Sequence, residues 1–104
     1  MSYCLAYMTA GTVEEAKTIG RALVEDRLAA CVNVIPGMTS IYRWEDALEE
    51  AEEAVLIAKT RADLFDALAN RVAEIHSYDT PCAIRLDIAG GLPPFLRWID
   101  GETA

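Results

Sequence analysis

Residues 28–44 read LAACVNVIPGMTSIYRW, and this stretch decides the fold. It is rich in Val, Ile, Tyr and Trp and is interrupted once, at Pro36-Gly37, so it predicts one long β-strand. Pro36 has no backbone donor and Gly37 reaches dihedrals closed to other residues. The pair therefore predicts a bulge or bend within the strand, not a hairpin turn. Fully extended, these 17 residues would span roughly 55 Å at ~3.3 Å each. A domain of this length has a radius of gyration of only ~13 Å. The strand must bend, project, or pair beyond its own domain.

Upstream, residues 3–9 (YCLAYMT) form an unbroken aromatic and apolar run that predicts a buried strand. Thr12-Val13-Glu14-Glu15 matches a capping box, in which Thr12 takes the Glu15 amide and Glu15 reaches back. Val13, Ala16, Ile19 and Leu23 then recur at helical spacing to about Asp26, with Glu14, Lys17, Arg21 and Glu25 on the solvated side. Downstream, Glu45, Asp46, Glu49, Glu50, Glu52 and Glu53 put six carboxylates into nine residues. Their mutual repulsion predicts a solvated turn. A calcium loop is the sharper alternative, but the EF-hand alternation and its central Gly are missing.

Residues 54–59 (AVLIAK) return as a strand. Thr60 is the expected cap of a second helix, with Asp63 in its first turn. Leu64, Leu68, Val72 and Ile75 supply its apolar face, widened by Phe65. The turn formers Tyr78-Asp79-Thr80-Pro81 stop it near His76-Ser77. Residues 82–88 (CAIRLDI) predict a strand, Gly90-Gly91 a turn, and residues 92–99 a short helix with Pro near its start.

The order β-α-β-β-α-β plus a terminal helix predicts a single domain over residues 1–104. Its class is α+β: a ferredoxin-like βαββαβ sandwich, with an antiparallel sheet and both helices on one face. The other face would be bare, yet Tyr3, Leu5 and Tyr7 alternate with Cys4, Ala6 and Met8, so the first strand is apolar on both sides. A sheet apolar on both faces needs a second cover. The last helix is short, so another copy of the chain is the expected cover.

Composition narrows the function. Nine basic against 17 acidic residues give a net charge of -8, which disfavours nucleic acid, because phosphate contacts need a basic face. At 53% hydrophobic residues, the chain has ample apolar surface to offset chain entropy, so disorder is not expected. No run of ~18–20 apolar residues exists, so no membrane insertion is expected. The opening residues lack the basic and apolar regions of a secretory signal, and Cys4, Cys31 and Cys82 cannot all pair within one chain. A cytoplasmic location with three reduced thiols follows as the expectation. Each thiol reads most simply as a small core hydrophobe.

Candidate chemistry gathers near element ends: Tyr42, Arg43, Trp44 and Glu45, then Lys59, then His76, Tyr78 and Asp79, and finally Trp98. Each has a plain alternative. His76 can serve only the last helix carbonyls, the two Trp can be core or interface anchors, and Lys59 can be a surface charge. Enzyme signatures such as GxSxG, HExxH, GxGxxG or a Walker loop are absent from the sequence. A Cys31–His76–Asp79 nucleophile set has no supporting spacing.

Several blocks together carry a resemblance. RLAACVNVIPGMTSIYRWE at 27–45, LIAKT at 56–60 and HSYDTP at 76–81 are similar to the CutA divalent-cation-tolerance family, over essentially the whole chain. The resemblance implies a homotrimer of ferredoxin-like subunits with PII-like architecture, whose long strands pair across subunits. It implies a non-enzyme linked to divalent metal tolerance, to copper binding, or to anchoring another protein. Cys31 and Asn33 stand in the family's ACVN block, Tyr42, Trp44 and Glu45 in Y-x-W-E, Lys59 and Thr60 in K-T, and His76, Tyr78 and Pro81 in H-P-Y-x-x-P. The chain departs from the pattern at Asp46-Ala47, Ser77 and Cys82, and it has Met8 where some members carry a Cys.

Three readings compete. The first is a metal-response or small-ligand protein, with Tyr42, Trp44, Glu45, Lys59, His76, Tyr78, Asp79 and Trp98 at inter-subunit clefts. The second is an enzyme in the same cleft, using His76 as acid or base. The third is a structural or PII-like anchoring trimer. No cofactor is required in the first reading. Copper or another divalent cation would bind weakly through His76 and the soft donor Met8.

Overall fold

The computed structural model describes residues 2–104. Four strands and three helices follow in the expected order: β1 (Tyr3–Ala10), α1 (Val13–Glu25), β2 (Cys31–Trp44), β3 (Ala47–Arg61), α2 (Phe65–Ile75), β4 (Ala83–Ile88) and α3 (Pro93–Glu102). The sheet order is β2-β3-β1-β4 and every neighbouring pair is antiparallel. This is the split-βαβ, ferredoxin-like α+β arrangement: β3 lies between β1 and β2, the strands that α1 connects.

The long strand forms, beginning at Cys31 and not at Leu28. β2 runs 14 residues, and its pairing with β3 shifts register between Ile35 and Met38. Pro36-Gly37 therefore sits in a bulge, with Gly37 at φ 75°, a left-handed value that suits a residue without Cβ. Beyond the bulge the β2–β3 ladder continues to Trp44↔Ala47 as a projecting hairpin, within a molecule 45 Å long and 25 × 22 Å across.

The acidic run is a correction. Only Glu45 and Asp46 make the turn, at φ 49° and 64°, while Glu49, Glu50, Glu52 and Glu53 lie in the 15-residue β3. Strand alternation sends neighbouring carboxylates to opposite faces, where water screens them. The backbone of β2 beyond the bulge also needs a ladder partner. Repulsion within the run is weak against those bonds.

Two caps also differ from expectation. Thr12 does accept from the Glu15 amide at 3.1 Å, but the Glu15 carboxylate takes its main bonds from Ser77 across the fold. Thr60 is fully buried at the end of β3, where its hydroxyl donates to the Leu28 carbonyl at 2.7 Å. α2 instead starts through a 3-10 turn over Ala62–Leu64 with no side-chain cap.

The core lies between the sheet and the first two helices. Ala6, Met8 and Ala10 of β1 and Ala54, Leu56 and Ala58 of β3 pack with Ile19 and Leu23 of α1 and with Leu68 and Val72 of α2. The opposite face is only partly covered. α3 closes one end, where Ile99 is buried and the Tyr3 hydroxyl donates to Asp100 at 2.6 Å. α3 runs ten residues, longer than the eight expected. Ile35, Ile84 and Leu86 remain roughly half exposed on that side.

Candidate functional site

The segment joining α2 to β4 builds the site. His76 caps α2, and its side chain is completely buried. Its Nε2 lies 2.7 Å from the Thr9 carbonyl, and its Nδ1 accepts the Tyr78 amide at 3.0 Å. A carbonyl only accepts and an amide only donates, so these partners assign the Nε2–H tautomer. Next to it, the Glu15 carboxylate accepts the Ser77 amide at 2.8 Å and the Ser77 hydroxyl at 3.0 Å. Burial pushes the Glu15 carboxyl up. The Ser77 bonds, His76 and the Gly11 backbone outweigh that and hold it below the ordinary value.

Tyr78 extends the network. Its ring packs against the His76 ring at 4.6 Å between centroids, and its hydroxyl donates to Glu53 Oε2 at 2.7 Å. Burial first, and then the Glu53 carboxylate, push the phenol well above its usual range. Gly11 makes room for this ring, because a Cβ there would stand 3.2 Å from the Tyr78 hydroxyl oxygen.

Beside Tyr78 opens a cleft of about 370 Å³. Tyr42 and Trp44 reach it from the hairpin and Glu53 from β3, with Asp79, Thr80 and Cys82 from the connecting segment and Thr9 from β1. Strand alternation puts Thr9, Tyr42, Trp44 and Glu53 on the open side of the sheet.

Four of the expected residues thus converge: Tyr42, Trp44, Tyr78 and Asp79. The others do not line the cleft. Glu45 sits in the hairpin turn. Lys59 Nζ donates to Asn33 Oδ1 and lies 3.5 Å from Cys31 Sγ. Trp98 stacks on Phe95 in α3, with centroids 5.5 Å apart. His76 stands behind Tyr78.

The structure encloses both expected metal donors, His76 and Met8. Met8 is wholly buried in the apolar cluster, and both His76 nitrogens are engaged by the backbone. A metal needs a free imidazole lone pair, which this arrangement does not offer. Among the described residues, no three His, Cys, Asp or Glu side chains gather to hold a metal ion.

Sequence reasoning missed Glu53, Thr9, Thr80 and Cys82. Glu53 was hidden in the acidic run, and only its pairing with Met38 in the β2–β3 ladder puts it on the face of Tyr42 and Trp44. Burial, and then Glu53, raise the Cys82 thiol, and its Sγ lies 3.9 Å from the Tyr7 carbonyl oxygen. A raised thiol is a poor nucleophile. The arrangement is suited to holding a guest between aromatic rings and carboxylates.

The chain is similar to known proteins along nearly its full length. The model of the family described as CutA1 divalent ion tolerance protein matches residues 4–102. The Divalent-cation tolerance protein CutA of Thermus thermophilus is 45% identical over 92% of this chain and 93% of its own length. Human Protein CutA is 42% identical over 98% of this chain, which spans 57% of the human protein. In structure, CutA1 from Oryza sativa superposes with a TM-score of 0.97 at 38% identity, covering 100% of this chain and 95% of that one. The Thermus thermophilus protein gives 0.95 at 42% identity, covering 98% and 99%. Among the described residues, no helix is long and apolar enough to cross a membrane. With the long bulged strand, the helix-covered sheet and the HSYDTP segment all in place, the chain belongs to the CutA1 divalent ion tolerance family.

Proposed function

We propose that the chain acts in the cytoplasm as a PII-like homotrimer that takes part in divalent metal tolerance, copper included, without catalysing a reaction. It holds a small ligand in the cleft beside Tyr42, Trp44 and Tyr78. The observation that carries this reading is the position of that cleft, at the hairpin end of a sheet face that still exposes Ile35, Ile84 and Leu86. Burying such a face contributes ~25 cal/mol per Å² of apolar area, and a docked copy would also wall the cleft. Divalent cations are exchangeable guests in this reading and no resident cofactor is required. The exposed Leu92, Phe95 and Trp98 of α3 favour a second reading, an anchoring trimer that grips another protein.

Sedimentation at micromolar concentration tests the assembly, with a mass of about three times 11.4 kDa expected. A monomer sinks the reading. Calorimetric copper titration tests the metal arm. Wild type and His76→Ala should bind alike, whereas the variant should lose ~1–3 kcal/mol of stability, because it leaves the Thr9 carbonyl and the Tyr78 amide unpaired. Copper binding abolished by His76→Ala would restore a histidine site.

A further inference from the structure

We propose that the cleft is a cage for a small organic cation of the alkylated-ammonium class. The inference rests on the reading of this cleft as the ligand site. Three aromatic side chains, Tyr42, Trp44 and Tyr78, line it together with the carboxylates of Glu53 and Asp79, and its lining contains no Lys, Arg or His. Aromatic rings attract cations through their quadrupoles, Trp most strongly, and the attraction grows when the cation is desolvated. The two carboxylates supply the countercharge.

Other guest classes fit less well. An anion would meet two like charges in a chain whose net charge is already -8. An uncharged apolar guest would strip water from the carboxylates without replacing it. A hard divalent ion seeks roughly six to eight oxygen ligands, and no three metal-ligating groups gather among the described residues. The cleft, at about 370 Å³, lies in the range of small-molecule sites. Tyr78 is also pre-positioned, by His76 on its ring and by Glu53 on its hydroxyl, so little ordering is left for binding to supply.

The test uses the full chain, labelled with nitrogen-15, and follows the indole N–H resonance of Trp44, with Trp98 as internal reference and Trp44→Phe for assignment. The probes are choline chloride, its uncharged isostere 3,3-dimethylbutan-1-ol, the apolar anion 8-anilino-1-naphthalenesulfonate, and magnesium chloride at matched ionic strength. Choline should shift Trp44 saturably and leave Trp98 in place, and the isostere and magnesium should not. Glu53→Gln and Asp79→Asn should each weaken choline about tenfold, with the fold checked by circular dichroism. Equal saturation by the isostere, stronger binding of the sulfonate, or choline binding unchanged in both variants overturns the cation class and leaves a ligand cleft. Failure of every probe to saturate at Trp44 overturns the cation class and the ligand cleft together.

Discussion

On the helix-covered face, β1 presents Cys4, Ala6, Met8 and Ala10, all fully buried. On the opposite face the same strand presents Tyr3, Leu5 and Tyr7, only partly buried, beside Ile84 and Leu86 of β4 at 54% and 47% exposure. Side-chain size tells the two apart. Alanines on the first face let α1 and α2 approach closely enough to exclude water, and the layer closes within one chain. The larger aromatic and branched residues of the second face carry more apolar area than α3 covers. An apolar strand pattern therefore says that a face will be buried; the sizes along it say how near the cover comes.

The comparison breaks most sharply at Leu86. A charge there, Leu86→Asp, should dissolve the proposed assembly, taking the sedimentation mass from about three times 11.4 kDa to a single chain while helix content persists. Retention of the full mass would show that another part of the surface joins the copies. On the closed face, Leu56→Ala should cost ~2–5 kcal/mol in urea unfolding, because it empties a fully packed site. If the open face stays uncovered, Ile84→Ala in the same series stays within ~0.5 kcal/mol, as for an ordinary surface change. A cost approaching that of Leu56→Ala marks a covered face.

Smaller effects sit at the polar border of the closed face. The Glu15 carboxyl is held below its ordinary value of 4.5 in the folded chain. Its contribution is fully present above pH 4.5 and fades as pH falls through the lower folded value. Glu15→Gln should therefore be less stable than wild type at neutral pH by a constant margin, which closes in acid. A margin that persists in acid would trace the loss to packing and not to charge. Tyr78 gives the smallest effect. Its raised phenol contributes below its ordinary value of 10.0 and stops contributing as pH rises through the folded value. Phenolate absorbance should show a late-titrating component that Tyr78→Phe reduces, while Tyr3, raised by its bond to Asp100, keeps its share. If the variant keeps the whole component, Tyr78 does not contribute to it.

Much of this was legible because it was local. The Val13-Ala16-Ile19-Leu23 spacing, the Thr12 cap, the stop at His76 and the bulge at Pro36-Gly37 all rest on neighbours within a few residues, and all stand in the structure. The misreadings share a different cause. Glu49 to Glu53 looked like a turn until β2 supplied a partner ladder. Thr60 looked like a cap until the Leu28 carbonyl, 32 positions away in sequence, claimed its hydroxyl. Glu15 looked like half of a capping box until Ser77 arrived from 62 positions away.

The candidate site divides along the same line. Tyr42, Trp44, Tyr78 and Asp79 stood out as aromatic and acidic residues at element ends, and the fold brings them to one cleft. Met8 and His76 were chosen for their donor atoms, yet only the packed structure reveals that one donor lies in the core and the other is spent on the backbone. By itself the sequence determined the order of elements, the helix faces and the surplus of apolar strand surface, because side-chain periodicity and turn chemistry act over a few residues. Tertiary structure alone decided which carboxylates joined a strand, which imidazole nitrogens were taken and which four segments met at the cleft. Those outcomes turn on hydrogen-bond partners brought from distant parts of the chain, and a buried polar group takes whichever partner the packing delivers.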